Sequence, residues 1–162
     1  MPKSLWKNGR GAMGRMAPLL GQWVAEEDSK LGPVRVELRF ALAAGNTTVV
    51  KQAIWWLRGK KSYEEIAVFC KGDEAPLEFV SFTSDGRRSE GRVTADQDAP
   101  SDALVFQAQM PAGLARMLYW KETREGFHWA VESRGKKGWN RFIQHHYLPL
   151  APSKKKPLTL FT

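Results

Sequence analysis

Hydrophobic and polar residues alternate along most of this chain in short runs. The clearest run sets Val34, Val36, Leu38, Phe40 and Leu42 against Arg35, Glu37, Arg39 and Ala41. In an extended strand a period of two places each set on its own face, so one face of this segment is buried and the other wet. Comparable runs recur with turn signals between them. The pattern predicts a short helix around Met13 to Leu20, ended by Gly21, and a first strand from Gln22 to Ala25. Asp28 to Pro33 reads as a turn, Val34 to Leu42 as the second strand and Gly45-Asn46 as a hairpin signal. Further strands are predicted over Thr47 to Leu57, Ser62 to Cys70, Leu77 to Thr83 and Arg87 to Ala95. The last four cover Asp102 to Met110, Leu114 to Thr123, Phe127 to Ser133 and Gly138 to Leu148.

About ten strands with short connections make neighbours in sequence neighbours in space. A ten-stranded meander leaves two unpaired edges unless it closes, and closure removes that liability. The expected fold is therefore all-β, a closed antiparallel up-and-down barrel with a short N-terminal helix. Residues 13–148 form the barrel domain, preceded by a basic arm over 1–12 and followed by a Pro- and Lys-rich tail over 149–162.

The helix followed by Leu19-Leu20-Gly21-Gln22-Trp23 resembles the Gly-x-Trp opening of the lipocalin and fatty-acid-binding (calycin) superfamily. That resemblance implies that Trp23 closes the barrel bottom and that a basic residue on the last strand packs over it. Arg141, in Gly138-Trp139-Asn140-Arg141-Phe142, is the candidate. It also implies a small, largely apolar ligand inside the barrel. Ile143-Gln144-His145-His146-Tyr147-Leu148 is similar to the last strand of nitrobindin-type haem barrels, in which a His of such a pair ligates the iron. The Gly-rich, Tyr-Pro segment that follows Gly-x-Trp in those proteins is absent; Val24-Ala25-Glu26-Glu27 stands there instead.

Charge and composition narrow the functional classes. The net charge is +8, but it concentrates in Lys3, Lys7, Arg10 and Arg15, in Lys154 to Lys156, and in the turns Arg58 to Lys61 and Arg134 to Lys137. Charge on tails and turn tips is solvated, and aromatics do not interleave with it on one exposed face, so nucleic acid is not an expected partner. A single cysteine, Cys70, cannot form an internal disulfide. No apolar run approaches a bilayer span, and a cytoplasmic location is expected. No Gly-rich phosphate loop, Cys/His metal spacing or nucleophile elbow occurs. The sequence names no cofactor, no metal and no oligomeric state.

Seven Trp and eight Phe supply the wide side chains that line or fill a barrel. Strand parity, with Arg141 turned in toward Trp23, also turns in His145 and Tyr147. Trp55, Phe106, Trp120, Trp129, His145 and Tyr147 are the expected ligand-binding residues, with Trp23 and Arg141 as structural closure. The leading function is binding of a small hydrophobic or amphipathic molecule. The alternatives are a barrel isomerase or lyase using His145 or Tyr147 as acid or base, a haem barrel, and a solid barrel serving as an interaction module. One bulge would invert every parity assignment beyond it.

Overall fold

The structure, a computed structural model, describes residues 4–150. The arm's first three residues and the tail beyond Leu150 lie outside the described residues. Among the described residues, ten strands follow one 3-10 helix, Gly14–Leu19. They are β1 (Gly21–Ser29), β2 (Gly32–Ala43), β3 (Thr48–Leu57), β4 (Lys60–Cys70) and β5 (Glu78–Thr83). The second half comprises β6 (Arg88–Thr94), β7 (Leu104–Met110), β8 (Gly113–Trp120), β9 (Phe127–Gly135) and β10 (Gly138–Pro149). Every neighbour in sequence pairs antiparallel, and β10 returns to β1, closing the barrel. Among the described residues no helix is long and apolar enough to cross a membrane.

The expected first turn is shorter than the sequence suggested. β1 runs on to Ser29 and pairs with Gly32, leaving only Lys30 and Leu31 between the strands. Gly32, at φ +119°, supplies the backbone conformation this tight connection needs. The β1–β10 seam is narrow. It consists of Trp23 opposite Pro149 and Val24 opposite Leu148, extended by the Leu150 N–H donating to the Gln22 carbonyl at 2.9 Å.

The end of the barrel next to the helix is packed solid. Met16 and Leu19 of the helix join Phe40, Phe69, Tyr119 and Phe127 in one buried cluster. Trp23 meets Phe127 edge-on at 4.9 Å, and its indole N–H donates to the Leu19 carbonyl at 2.7 Å. Trp23 therefore ties the helix to β1. Gly21, at φ +130°, turns the chain from helix into strand just before it.

Arg141 is not in contact with Trp23, contrary to what the resemblance implied. A bulge in β10 falls between Arg141 and Ile143. The extra residue, Phe142, is 65% exposed. Before the bulge Arg141 points outward, where it donates to Glu132 and Gln144, each at 2.9 Å, and lies 5.0 Å from the Trp120 ring centroid. After it Ile143, His145 and Tyr147 point inward. Trp120 also differs from expectation. It sits outside the barrel with Val105, Leu118 and Ala130, under Ala99 and Ala103 of the β6–β7 loop.

This outer layer is held by Arg116, which is 4% exposed. Its guanidinium contacts Glu132 at 2.7 Å, Asp98 at 2.8 Å and Asp96 at 2.9 Å, and stacks on Trp139 at 4.3 Å. Burial works against the charge, but the three carboxylates outweigh it and hold Arg116 above its ordinary pKa. Arg116→Met leaves Glu132 and Asp96 buried without their main counter-charge, and should cost about 3–5 kcal/mol. Arg141→Ala, which removes an exposed rim partner, should cost about 1 kcal/mol or less. Urea unfolding midpoints of the two variants check the contrast; equal losses would show that Arg116 holds the outer layer no more strongly than a rim contact does.

Candidate functional site: a half-hollow barrel

Away from the helix the barrel is not filled. A cavity of about 500 Å³ opens above the aromatic floor formed by Phe79 and Phe106. Its walls include Leu38, Trp55, Met117, Trp129, Val131 and Ile143. The small side chains Ala53, Ala108 and Ala115 contribute to the emptiness. β6 and β7 pair only from Arg92 to Thr94 against Val105 to Gln107, and Ser89 and Met110 border the cavity beyond the point where they part. Phe142, the bulge residue, stands at its edge.

Three charged residues border this apolar wall: Arg116, whose guanidinium is engaged by its three carboxylates, and the pair Lys51 and Glu65. Lys51 is 4% exposed, and its ammonium lies 2.9 Å from Glu65 and 3.4 Å from the Tyr119 hydroxyl. The same ammonium sits 5.7 Å from the Trp129 ring centroid. Burial pulls the Lys51 pKa down, but the attraction of Glu65, with the surrounding hydroxyls, overcomes it and raises the pKa above its ordinary value. Lys51 is thus a fixed cation. Tyr63, Ser81 and Ser89 add hydroxyls to the wall near this pair. Burial raises the Tyr119 and Tyr147 phenols, so both stay protonated.

Strand registry explains why these groups meet. Lys51 stands on β3 between Val49 and Ala53, and shares their inward face. Ala53 pairs with Glu65 on β4, so Lys51 and Glu65 are diagonal neighbours across two strands. Neither was singled out in the sequence, because a lone Lys or Glu in a strand reads as a solvent-facing position. The legible signal was phase: Val49-x-Lys51-x-Ala53-x-Trp55 keeps one parity throughout.

Of the six expected ligand-binding residues, Trp55, Phe106, Trp129 and Tyr147 line the cavity. Trp120 is on the outside. His145 faces inward but stands behind the wall, its ring 5.1 Å from that of Trp55 and 5.2 Å from that of Trp129. Its Nδ1 meets the Tyr147 hydroxyl at 2.9 Å, and its Nε2 lies 3.9 Å from Glu27. Burial, with Lys51 adding repulsion, pulls the His145 pKa down to about 4. His145 is therefore neutral near neutral pH. The imidazole is only 3% exposed between two indoles and a carboxylate, and offers no open coordination position, so the residues present do not fit a haem iron. Among the described residues no group of three or more His, Cys, Asp or Glu is placed to hold a metal ion.

The fold and the site define a closed ten-stranded antiparallel barrel, packed at one end and hollow at the other. No protein-family model matches the chain. No curated protein matches it either. Among solved structures the chain is similar to Rv2717c from M. tuberculosis, with a TM-score of 0.57 and 13% sequence identity. The match covers 87% of this chain and 98% of that one, and is a likeness of fold.

A neutral buried His makes stability depend on pH. The unfolded chain protonates His145 near its ordinary 6.5, and the folded chain only near 4, so the unfolded state binds more protons between those values. Stability from this residue is complete above 6.5 and is lost as pH falls through that window, by about 3 kcal/mol in total. His145→Asn should flatten the corresponding part of the wild-type profile of unfolding free energy against pH. Identical slopes in the two proteins would show that His145 titrates alike in the folded and unfolded chains.

Proposed function

We propose that the protein binds a small hydrophobic or amphipathic molecule inside the barrel, without covalent chemistry, in the manner of the lipocalin-like barrels its Gly21-x-Trp23 opening resembles. The observation that carries this reading is the cavity of about 500 Å³ inside the barrel, lined mostly by apolar side chains with polar groups at one place. Its volume and composition suit a small-molecule site. An interaction module would have no need of a hollow interior.

The ionisation states favour binding over acid–base catalysis. A general acid or base works best with a pKa near the operating pH. Lys51 stays charged, Tyr119 and Tyr147 stay neutral, and His145 is held far below neutrality with one nitrogen engaged by Tyr147. These groups fix a pattern of charge and hydrogen bonding and do not exchange protons in the neutral range.

Trp55 and Trp129 border the cavity, so their fluorescence should report an occupant. Titration with an uncharged amphiphile of about ten carbons should quench or shift the emission saturably. Ala108→Trp, which fills the cavity from β7, should weaken that binding by about tenfold or more, while urea unfolding shows stability within about 1 kcal/mol of wild type. Undiminished binding by Ala108→Trp would place the ligand elsewhere.

A further inference from the structure

We infer that the cavity selects ligands whose polar end is an uncharged hydroxyl, over carboxylates and amines of the same chain length, because Lys51 and Glu65 confront that end as a matched pair. The inference rests on the proposed binding function and names its ligand class. It starts from the charge balance of the wall. Lys51 contributes one positive charge and Glu65 one negative, at 2.9 Å from each other. His145, the nearest other titratable base, carries none at neutral pH. Arg116, which also borders the cavity, is engaged by Asp96, Asp98 and Glu132, so a ligand entering meets no unpaired cation.

The chemistry of the two groups then discriminates. An ammonium only donates hydrogen bonds and an ionised carboxylate only accepts them. An alcohol does both through one oxygen, accepting from Lys51 Nζ while donating to Glu65. The Tyr63, Ser81 and Ser89 hydroxyls extend the same mixed character along the wall. A ligand carboxylate could accept from Lys51 only by approaching Glu65, and two like charges on one ammonium repel strongly where water is scarce. A ligand ammonium suffers the converse against Lys51. Either ion also gives up its hydration on entry, a penalty the alcohol largely escapes.

That last penalty applies in any apolar cavity, so a bare preference for the alcohol does not test the role of the pair. The swing in preference when one partner is neutralised does. Decanol, decanoate and decylamine are titrated into the full chain by tryptophan fluorescence and calorimetry, with thermal unfolding run on every variant. Wild type should bind decanol at least about tenfold more tightly than either ion. Glu65→Gln keeps the shape of the side chain and an acceptor for Lys51 but leaves the wall one positive charge. Its decanoate-to-decanol affinity ratio should rise by about tenfold or more, and its affinity for decylamine should fall. Lys51→Met leaves one negative charge and should swing the ratio toward decylamine. Ratios that stay constant across the three proteins, or a wild type that prefers decanoate, overturn the assignment while leaving cavity binding intact. A folded wild type that binds none of the three probes refutes the binding function itself, and this inference with it.

Discussion

Lys51 carries a full positive charge into the interior of a barrel otherwise walled by aromatic and aliphatic side chains, and Glu65 meets it there at 2.9 Å. Isolated, that charge would be too costly to bury, and the lysine would lose its proton. Paired, it remains ionised and sets the electrical state of its surroundings. Its repulsion adds to burial in keeping His145 neutral, and its ammonium reaches the Tyr119 hydroxyl on β8. The pair marks the level at which the barrel changes character. On the helix side Phe40, Tyr119 and Phe127 fill the lumen. On the other side alanines and serines leave it open.

A second ionic centre does the complementary work outside. Arg116 gathers Asp96, Asp98 and Glu132, and so ties the β6–β7 loop to β8 and β9. Arg141 and Trp120 belong to this outer layer. The barrel thus carries a charge cluster on each side of its wall, and the two differ in kind. Arg116 is saturated by three carboxylates and a stacked indole, which leaves it nothing to offer a ligand. The Lys51–Glu65 pair borders empty space.

The strands were legible because an antiparallel barrel with one wet face writes a period of two into the sequence, and because turn signals such as Gly45-Asn46 punctuate it. All ten were readable, as was the helix at Gly14–Leu19. The resemblance set Trp23 against Arg141, whereas its partners in the structure are the Leu19 carbonyl and Phe127. The cause is one extra residue in β10. Asn140, Arg141, Phe142 and Ile143 look like uninterrupted alternation, and nothing in their side chains announces the bulge that separates Arg141 from His145. Trp120 was misplaced for another reason. A large apolar residue in a barrel strand reads as facing the lumen, whereas the β6–β7 loop folds over the outer face and buries Trp120 there. Lys51 and Glu65 were passed over because charge in a strand ordinarily faces water. A hollow barrel with a polar anchor inverts that rule at a few positions, and those are the positions that matter for a ligand.

The central claim is that Lys51 and Glu65 act as one buried unit inside a hollow barrel. A double-mutant cycle on folding stability tests it most directly, with Lys51→Met, Glu65→Gln and the two combined, measured by urea unfolding at neutral pH. If the pair is a unit, each single change strands a buried charge and costs about 3 kcal/mol, while the double variant loses far less than the sum. Additive losses in the double variant would contradict the account, and would mean that each charge finds its compensation in water or elsewhere in the protein.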